Sequence, residues 1–166
     1  MATVRIRNAV QQDAEILAYI QTESWKAAFG RILTPECLKK YTDREKAEAM
    51  YRKVLGENHV RLKIESVDQR PHGICGWGKC RGKSGKTTAE LICIHCLADG
   101  WNHGYGSVMM QNVLEEMKEE GFSEVILWVF EDNWRARRFY EKHGFKEGVE
   151  RKNTFGAWER MYRKHL

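Results

Sequence analysis

Two hydrophobic periods alternate along the chain, and the points where one gives way to the other divide it into elements. Val4 and Ile6 stand against Arg5 and Arg7, which predicts a short strand. From Asp13 to Phe29 the spacing lengthens to that of a helix, with Ile16, Leu17, Ile20, Ser24 and Ala27 on one face and Gly30 as its stop. Thr34-Pro35 reads as an N-cap and first-turn proline opening a short helix to Tyr41. TDRE, Thr42 to Glu45, is a capping-box pattern ahead of a helix reaching about Leu55, closed by Gly56.

Period two then returns. HVRLKIESV (59–67) sets Val60, Leu62 and Ile64 against charged residues, DQRPHG reads as a turn, and ICGWGKC (74–80) is a further strand. RGKSGK (81–86) is another turn, and TTAELICIHCL (87–97) a long strand. SVMMQNVLEEMKEE is helical, with Met110, Val113, Leu114 and Met117 at i, i+3, i+4 and i+7 and Gly121 as its cap. SEVILWVFE (123–131) is apolar enough to predict burial on both faces. A short helix in WRARRFYEKHG and two strands, FKEGVERK and FGAWERMYRK, complete the pattern. The expected fold is a single α/β domain over residues 1–166, with a mixed, mostly antiparallel sheet flanked by helices.

Composition narrows the classes. At 166 residues, 42% hydrophobic and 31% charged, the chain suits one soluble domain. Its longest apolar run, Val125 to Phe130, is far too short for a membrane span, and its start carries no apolar signal core, so a cytoplasmic protein without membrane partners is expected. The net charge of +5 is dispersed among glutamates with no basic block, which argues against nucleic acid and leaves room for a local anion site. Five cysteines in this setting read as reduced thiols.

Two glycine-rich stretches compete as phosphate loops. GKSGKTT lacks the leading glycine of G-x-x-x-x-G-K-S/T, since Trp77 or Cys80 occupies that position, and strands flank it; it reads as a hairpin turn. GWNHGYGS instead follows a buried strand and opens an amphipathic helix, where converging backbone N–H groups attract an anion and glycines allow its close approach. After the next apolar strand, Asn133 stands as a helix cap, with Ala136, Phe139, Tyr140 and His143 on one face. Phe139 is expected in the core, and a Tyr140 hydroxyl on that face calls for a partner.

These residues resemble the GCN5-related N-acetyltransferase (GNAT) superfamily, most strongly over Thr88 to Phe145. WNHGYG is similar to the family's Q/R-x-x-G-x-G/A loop, with Trp101 where Gln or Arg is usual. N-x-x-A-x-x-F-Y-x-x-x-G-F is present as Asn133, Ala136, Phe139, Tyr140, Gly144 and Phe145, and SWKAAF resembles a segment common near the acceptor pocket. The resemblance implies a GNAT-type domain that moves an acetyl group from acetyl-CoA, as co-substrate, directly to a primary amine on a small molecule or peptide. Asn102, His103, Gly104, Tyr105, Gly106 and Ser107 would wrap the pyrophosphate. Ile94, His95 and Cys96 would pair with the pantetheine arm like an added strand, and Asn133 would contact its upper part. Tyr140 would be the acid that protonates the thiolate, with backbone N–H groups near Cys96 polarising the carbonyl. An amine must attack as the free base, and a lysine-like ammonium is neutral only to about one part in a thousand near pH 7. Where some relatives carry a glutamate on the fifth strand this chain has Trp128. Glu90 and His95 differ in parity and face opposite sides unless the strand bulges, and His95 is the base candidate. Glu23, Trp25 and Phe29 would line the acceptor pocket, and a homodimer is common among such relatives.

Two other readings compete. Cys75, Cys80, Cys93 and Cys96 with His95 suggest zinc, but an extended strand points Cys93 and Cys96 to opposite faces, so no metal is expected. The alternative function is a non-catalytic acyl-CoA-binding or nucleic-acid-binding module on a GNAT-like fold.

Overall fold

The computed structural model describes residues 1–82 and 85–166. The expected turn at RGKSGK therefore lies partly outside the described residues, and the segments around it belong to strands. In chain order the elements are β1 (Val4–Asn8), α1 (Ala14–Phe29), α2 (Pro35–Tyr41), α3 (Arg44–Glu57), β2 (Val60–Val67), β3 (Arg70–Lys79) and β4 (Thr88–Cys96). They are followed by α4 (Tyr105–Glu119), β5 (Glu124–Phe130), α5 (Trp134–Lys142), β6 (Lys146–Thr154) and β7 (Ala157–His165). All seven strands form one sheet in the order β1-β2-β3-β4-β5-β7-β6. Only β4 and β5 pair in parallel, and the crossover helix α4 joins them; β1 and β2 are also joined through helices, α1 to α3, but pair antiparallel. No helix among the described residues is long and apolar enough to cross a membrane.

The two faces of the sheet carry separate cores. On one, Leu17, Ile20 and Tyr51 of α1 and α3 pack on Leu62, Ile64 and Ile74. On the other, Met110, Val113 and Met117 of α4 and Tyr140 of α5 pack on Cys75, Trp77, Leu91, Val125 and Leu127. Full burial of each such side chain contributes about 1.5–3 kcal/mol. Phe29, Leu33 and Phe130 form a third cluster that ties the end of α1 to the end of β5.

Local chemistry sets several boundaries away from their expected places. Asp43, not Thr42, caps α3, its carboxylate accepting from the Lys46 N–H; Thr42 instead bonds back to the Leu38 carbonyl at the end of α2. Helix α3 continues through Gly56, and Asn58, at φ 56°, ends it. The turn in DQRPHG is only Asp68-Gln69, both at positive φ, so Arg70, Pro71, His72 and Gly73 belong to β3. Phe155 likewise leaves its expected strand: with Gly156 it makes the β6–β7 turn, at φ 55° and 85°. Gly121, at φ 94°, caps α4 as expected, with the Phe122 N–H reaching the Met117 carbonyl and the Gly121 N–H that of Lys118.

The feature that makes the site is where β4 and β5 part. They pair only at Thr88, Ala89 and Glu90, opposite Glu124, Val125 and Ile126. Beyond this point β4 stays on β3 and β5 stays on β7, so the sheet splits into two halves with a wedge between them.

Candidate active site

The wedge is a cleft of ≈ 1020 Å³. One wall is β4 from Glu90 to Cys96 backed by α1; the other is the end of β5 with α5, and the start of α4 closes one end. A bulge in β4 decides which side chains enter. Gly76 pairs with Cys93 and Trp77 with Leu91, so Ile92 has no partner. The extra residue reverses the alternation and places Glu90 and His95 on the same, α1-facing side of β4. Both line the cleft.

At the α4 end, Gly104 (φ 82°) turns the chain into the helix, leaving the first N–H groups of α4 free toward the opening. Asn102, Gly104, Tyr105, Gly106 and Ser107 line the cleft here, and Ser107 Oγ lies 2.9 Å from His143 Nε2. His103 does not line it: its ring stacks on Tyr105 and its Nδ1 lies 2.9 Å from the Trp101 carbonyl. Asn133 reaches the opposite side while its side chain caps α5 by accepting from the Ala136 N–H at 3.3 Å. Arg135, Arg138 and Lys142 of α5 also line the cleft, and none has a carboxylate within ion-pair distance among the described residues. This wall is cationic and unpaired.

Trp101, at the position where the loop pattern expects Gln or Arg, donates its indole N–H to the Cys96 carbonyl at 3.0 Å. The Arg135 guanidinium lies 3.5 Å from the centroid of its ring. Tyr140 is buried, and its hydroxyl has no hydrogen-bond partner among the described residues although it faces the cleft. Burial and the neighbouring thiols raise its pKa, keeping it a protonated donor. Phe139 is only half-buried, packed on the edge of the core.

The other end of the cleft is aromatic. Trp25 and Phe29 meet edge to face at 5.1 Å, and Phe155 stacks on Tyr41 at 4.0 Å with Trp25 beside it at 6.3 Å. The Trp25 indole N–H donates to His95 Nε2 at 3.1 Å, and burial together with Arg135 pushes the His95 pKa down to about 4. Glu23 does not enter the cleft lining; it pairs with Lys26 and Arg44 on the outer side of α1. Glu90 accepts from the Arg81 backbone N–H, Nε and Nη2 at 3.1, 3.3 and 2.5 Å. Burial raises its pKa, but these bonds outweigh it and hold the carboxyl below its usual range. The sequence reading passed over Arg135, Arg81 and Phe155. Of these, only Arg135 had a usable signal, its place two residues after the capping Asn133.

The cleft thus combines a parting parallel pair, a helix N-terminus at its mouth and a tyrosine hydroxyl in the wedge. Residues 21–145 match the model of the Acetyltransferase (GNAT) family, and the chain belongs to that family. It is an acetyl-CoA-dependent N-acetyltransferase. An uncharacterised N-acetyltransferase of Bacillus subtilis, YuaI, is 23% identical over 135 residues, 78% of this chain and 73% of its own. The fold is similar to that of the PaiA N-acetyltransferase of Thermoplasma acidophilum, solved in complex with coenzyme A (TM-score 0.79, 21% identity, 99% of both chains). It is also similar to a GCN5-related N-acetyltransferase of Rhodopseudomonas palustris (TM-score 0.80, 17% identity, 99% of this chain and 96% of that one).

Proposed function

We propose that the cleft holds acetyl-CoA along β4 and acetylates an amine that enters from the aromatic end already neutral, which favours α-amino groups of small molecules or peptides over lysine-like amines. The carrying observation is that each basic group lining the cleft is already engaged. The lone pair of His95 Nε2 accepts the Trp25 N–H, Glu90 is held by Arg81, and Glu159, the other carboxylate in the lining, accepts from Thr154 Oγ1 at 2.8 Å. His95 thus acts as a positioning residue for Trp25, a narrower role than the base expected for it. An α-amine of pKa about 7.7–8.0 is neutral to roughly one part in ten near pH 7, against about one in a thousand or fewer at 10.4. Without a strong base, that difference passes directly into rate.

In this reading the pyrophosphate sits on the N–H groups of Gly104 to Gly106 and the Ser107 hydroxyl, with the cations of α5 behind it. Each charge-assisted bond contributes ~1.5–3 kcal/mol. The free edge of β4 from Ile94 to Cys96 pairs with the pantetheine arm. The amine, between Trp25, Phe29 and Phe155, attacks the thioester carbonyl; the C–S bond breaks, Tyr140 gives its proton to the departing sulfur, and the excess amine proton passes to solvent. The tyrosinate regains a proton from solvent.

The test is a thiol-release assay on amine pairs with the same body and differing amine pKa, such as a dipeptide amide against the matching Nα-blocked lysine peptide. The α-amine is expected to show the higher kcat/KM by about tenfold or more, with the advantage shrinking as pH rises toward the ε-amine pKa. Equal or faster turnover of the ε-amine would overturn the reading.

A further inference from the structure

On the opposite face of β4 from His95, three side chains that the acetyl-transfer chemistry does not use are gathered at one register position. Glu65 of β2 pairs with Gly73 of β3, and Gly73 pairs with Cys96 of β4. Glu65 and Cys96 thus flank a glycine whose missing side chain gives them room: a Cβ on Gly73 would lie 3.1 Å from Cys96 Sγ and 3.2 Å from Glu65 Oε1. His72 joins them through a second bulge. Glu65 pairs with Gly73 and Ser66 with Pro71, so His72 is the extra residue of β3. One donor atom from each of the three lies within 4.8 Å of the other two.

We propose that Glu65, His72 and Cys96 bind one transition-metal ion of the zinc class, beneath the loop that opens α4. The polar atoms ask for a partner. Glu65 is wholly buried and His72 is 7% exposed, yet among the described residues neither carboxylate oxygen of Glu65 nor Nε2 of His72 has a hydrogen bond. Native structures rarely leave such groups unpaired, because each costs about 1–3 kcal/mol, more when charged. Lys63, two residues before Glu65 on β2, does not serve: it is held by Glu116 at 2.7 Å and by Asn8 at 2.6 Å. Burial alone pushes the Glu65 pKa up to about 7, and burial with Glu65 pushes Cys96 up to about 12.

A divalent ion answers these demands together. One carboxylate, one thiolate and a neutral imidazole balance a 2+ charge, so the buried site is neutral overall. Thiolate with imidazole selects zinc or cobalt over magnesium or calcium, and three protein donors leave a fourth position for water. Ligand bonds of about 2.0–2.3 Å need the most distant donors to close by roughly 1 Å, within the reach of side-chain rotation. Binding releases the Cys96 thiol proton to solvent. The ion would also brace the loop above it. Gly100 lies so close to the His72 ring that a Cβ there would stand 1.9 Å from Cε1, and the Tyr105 ring meets His72 edge to face at 5.2 Å.

The test is titration of the full chain, stripped with chelator, with Co²⁺ alone. One equivalent should bind with a near-ultraviolet thiolate-to-cobalt charge-transfer band, and Zn²⁺ should displace it. Cys96→Ser should abolish the band, Cys80→Ser should keep it, and His72→Gln and Glu65→Gln should each weaken Co²⁺ binding at least ~10-fold. Circular dichroism checks each variant, and the His72 and Glu65 variants decide the matter if Cys96→Ser fails to fold. Absence of a saturable band in folded wild type would overturn the site, as would a band that survives Cys96→Ser or affinity unchanged in both other variants.

Discussion

The guanidinium carbon of Arg135 lies over the Trp101 indole, 3.5 Å from the ring centroid, and no carboxylate among the described residues pairs with it. Trp101 is fixed in turn by its bond to the Cys96 carbonyl. The pair sets a cation of α5 beside the loop that opens α4, and with Arg135 exposed the stacking is worth about 0.5–1 kcal/mol. Arg135→Gln should weaken acetyl-CoA binding roughly 10-fold or more by calorimetry, and Trp101→Ala should do so less strongly by freeing the arginine. Unchanged affinity in both would remove Arg135 from the cofactor site.

Gly104→Asp separates folding from binding. The position has positive φ and open space around it, and aspartate is among the residues that tolerate that conformation. A negative charge at the N-terminus of α4 leaves the helix intact but repels the pyrophosphate. The variant should keep its melting temperature within a few degrees and lose measurable acetyl-CoA binding in the same calorimetric titration.

Tyr140→Phe removes only the hydroxyl, which has no hydrogen-bond partner among the described residues. Stability and acetyl-CoA affinity should hold, while kcat falls about 10²-fold or more, the usual contribution of a positioned acid. Retained kcat would show that the leaving thiolate takes its proton from elsewhere.

Phe155 should govern the acceptor. It holds φ 55° at the tip of the β6–β7 turn, an uncommon conformation for a bulky residue, costing about 1–3 kcal/mol. Its stacking on Tyr41 and its place in the cleft lining give the strain a use. Phe155→Gly should leave stability unchanged or raised, increase acceptor KM several-fold, and leave the acetyl-CoA dissociation constant alone.

Acid stability should depend on Asp13, which accepts from Arg7 at 2.7 and 2.9 Å and from the Val10 N–H at 2.7 Å. The Arg7 hydrogen bonds outweigh burial and hold its folded pKa below the unfolded value of about 3.9. Its contribution is therefore complete above that value and disappears as pH falls through the folded one. With Arg7 half exposed, the bonds are worth about 1–2 kcal/mol. Urea midpoints of wild type and Asp13→Asn should differ at pH 7 and converge in acid; a constant gap would contradict the assignment.

Most of the fold is legible because burial and hydrophobic period coincide. Met110, Val113 and Met117 lie on the packed face of α4, Val125 to Phe130 form the inner strand, and Asn133 caps α5. The site was legible less evenly. The two bulges that aim Glu90 and His95 together, and His72 at Glu65, leave no mark on an alternating pattern, since an inserted residue is visible only against its partner strand. Cap choice at Asp43 over Thr42 and the turn at Phe155 were settled by competing contacts, the Leu38 carbonyl and the Tyr41 ring. The engagement of His95 by Trp25 joins residues seventy positions apart and has no local signature.

The parting of β4 from β5 also has a mechanical side. Only three residue pairs bridge the two half-sheets within the ladder, so this seam is the weakest line across the β-structure. On the proposed reading, a carrier paired along β4 would work as a removable strand, stitching the halves together while bound and loosening them on leaving. Product release and the rigidity of the C-terminal half would then be one event, with the departure of coenzyme A tied to how readily the seam opens.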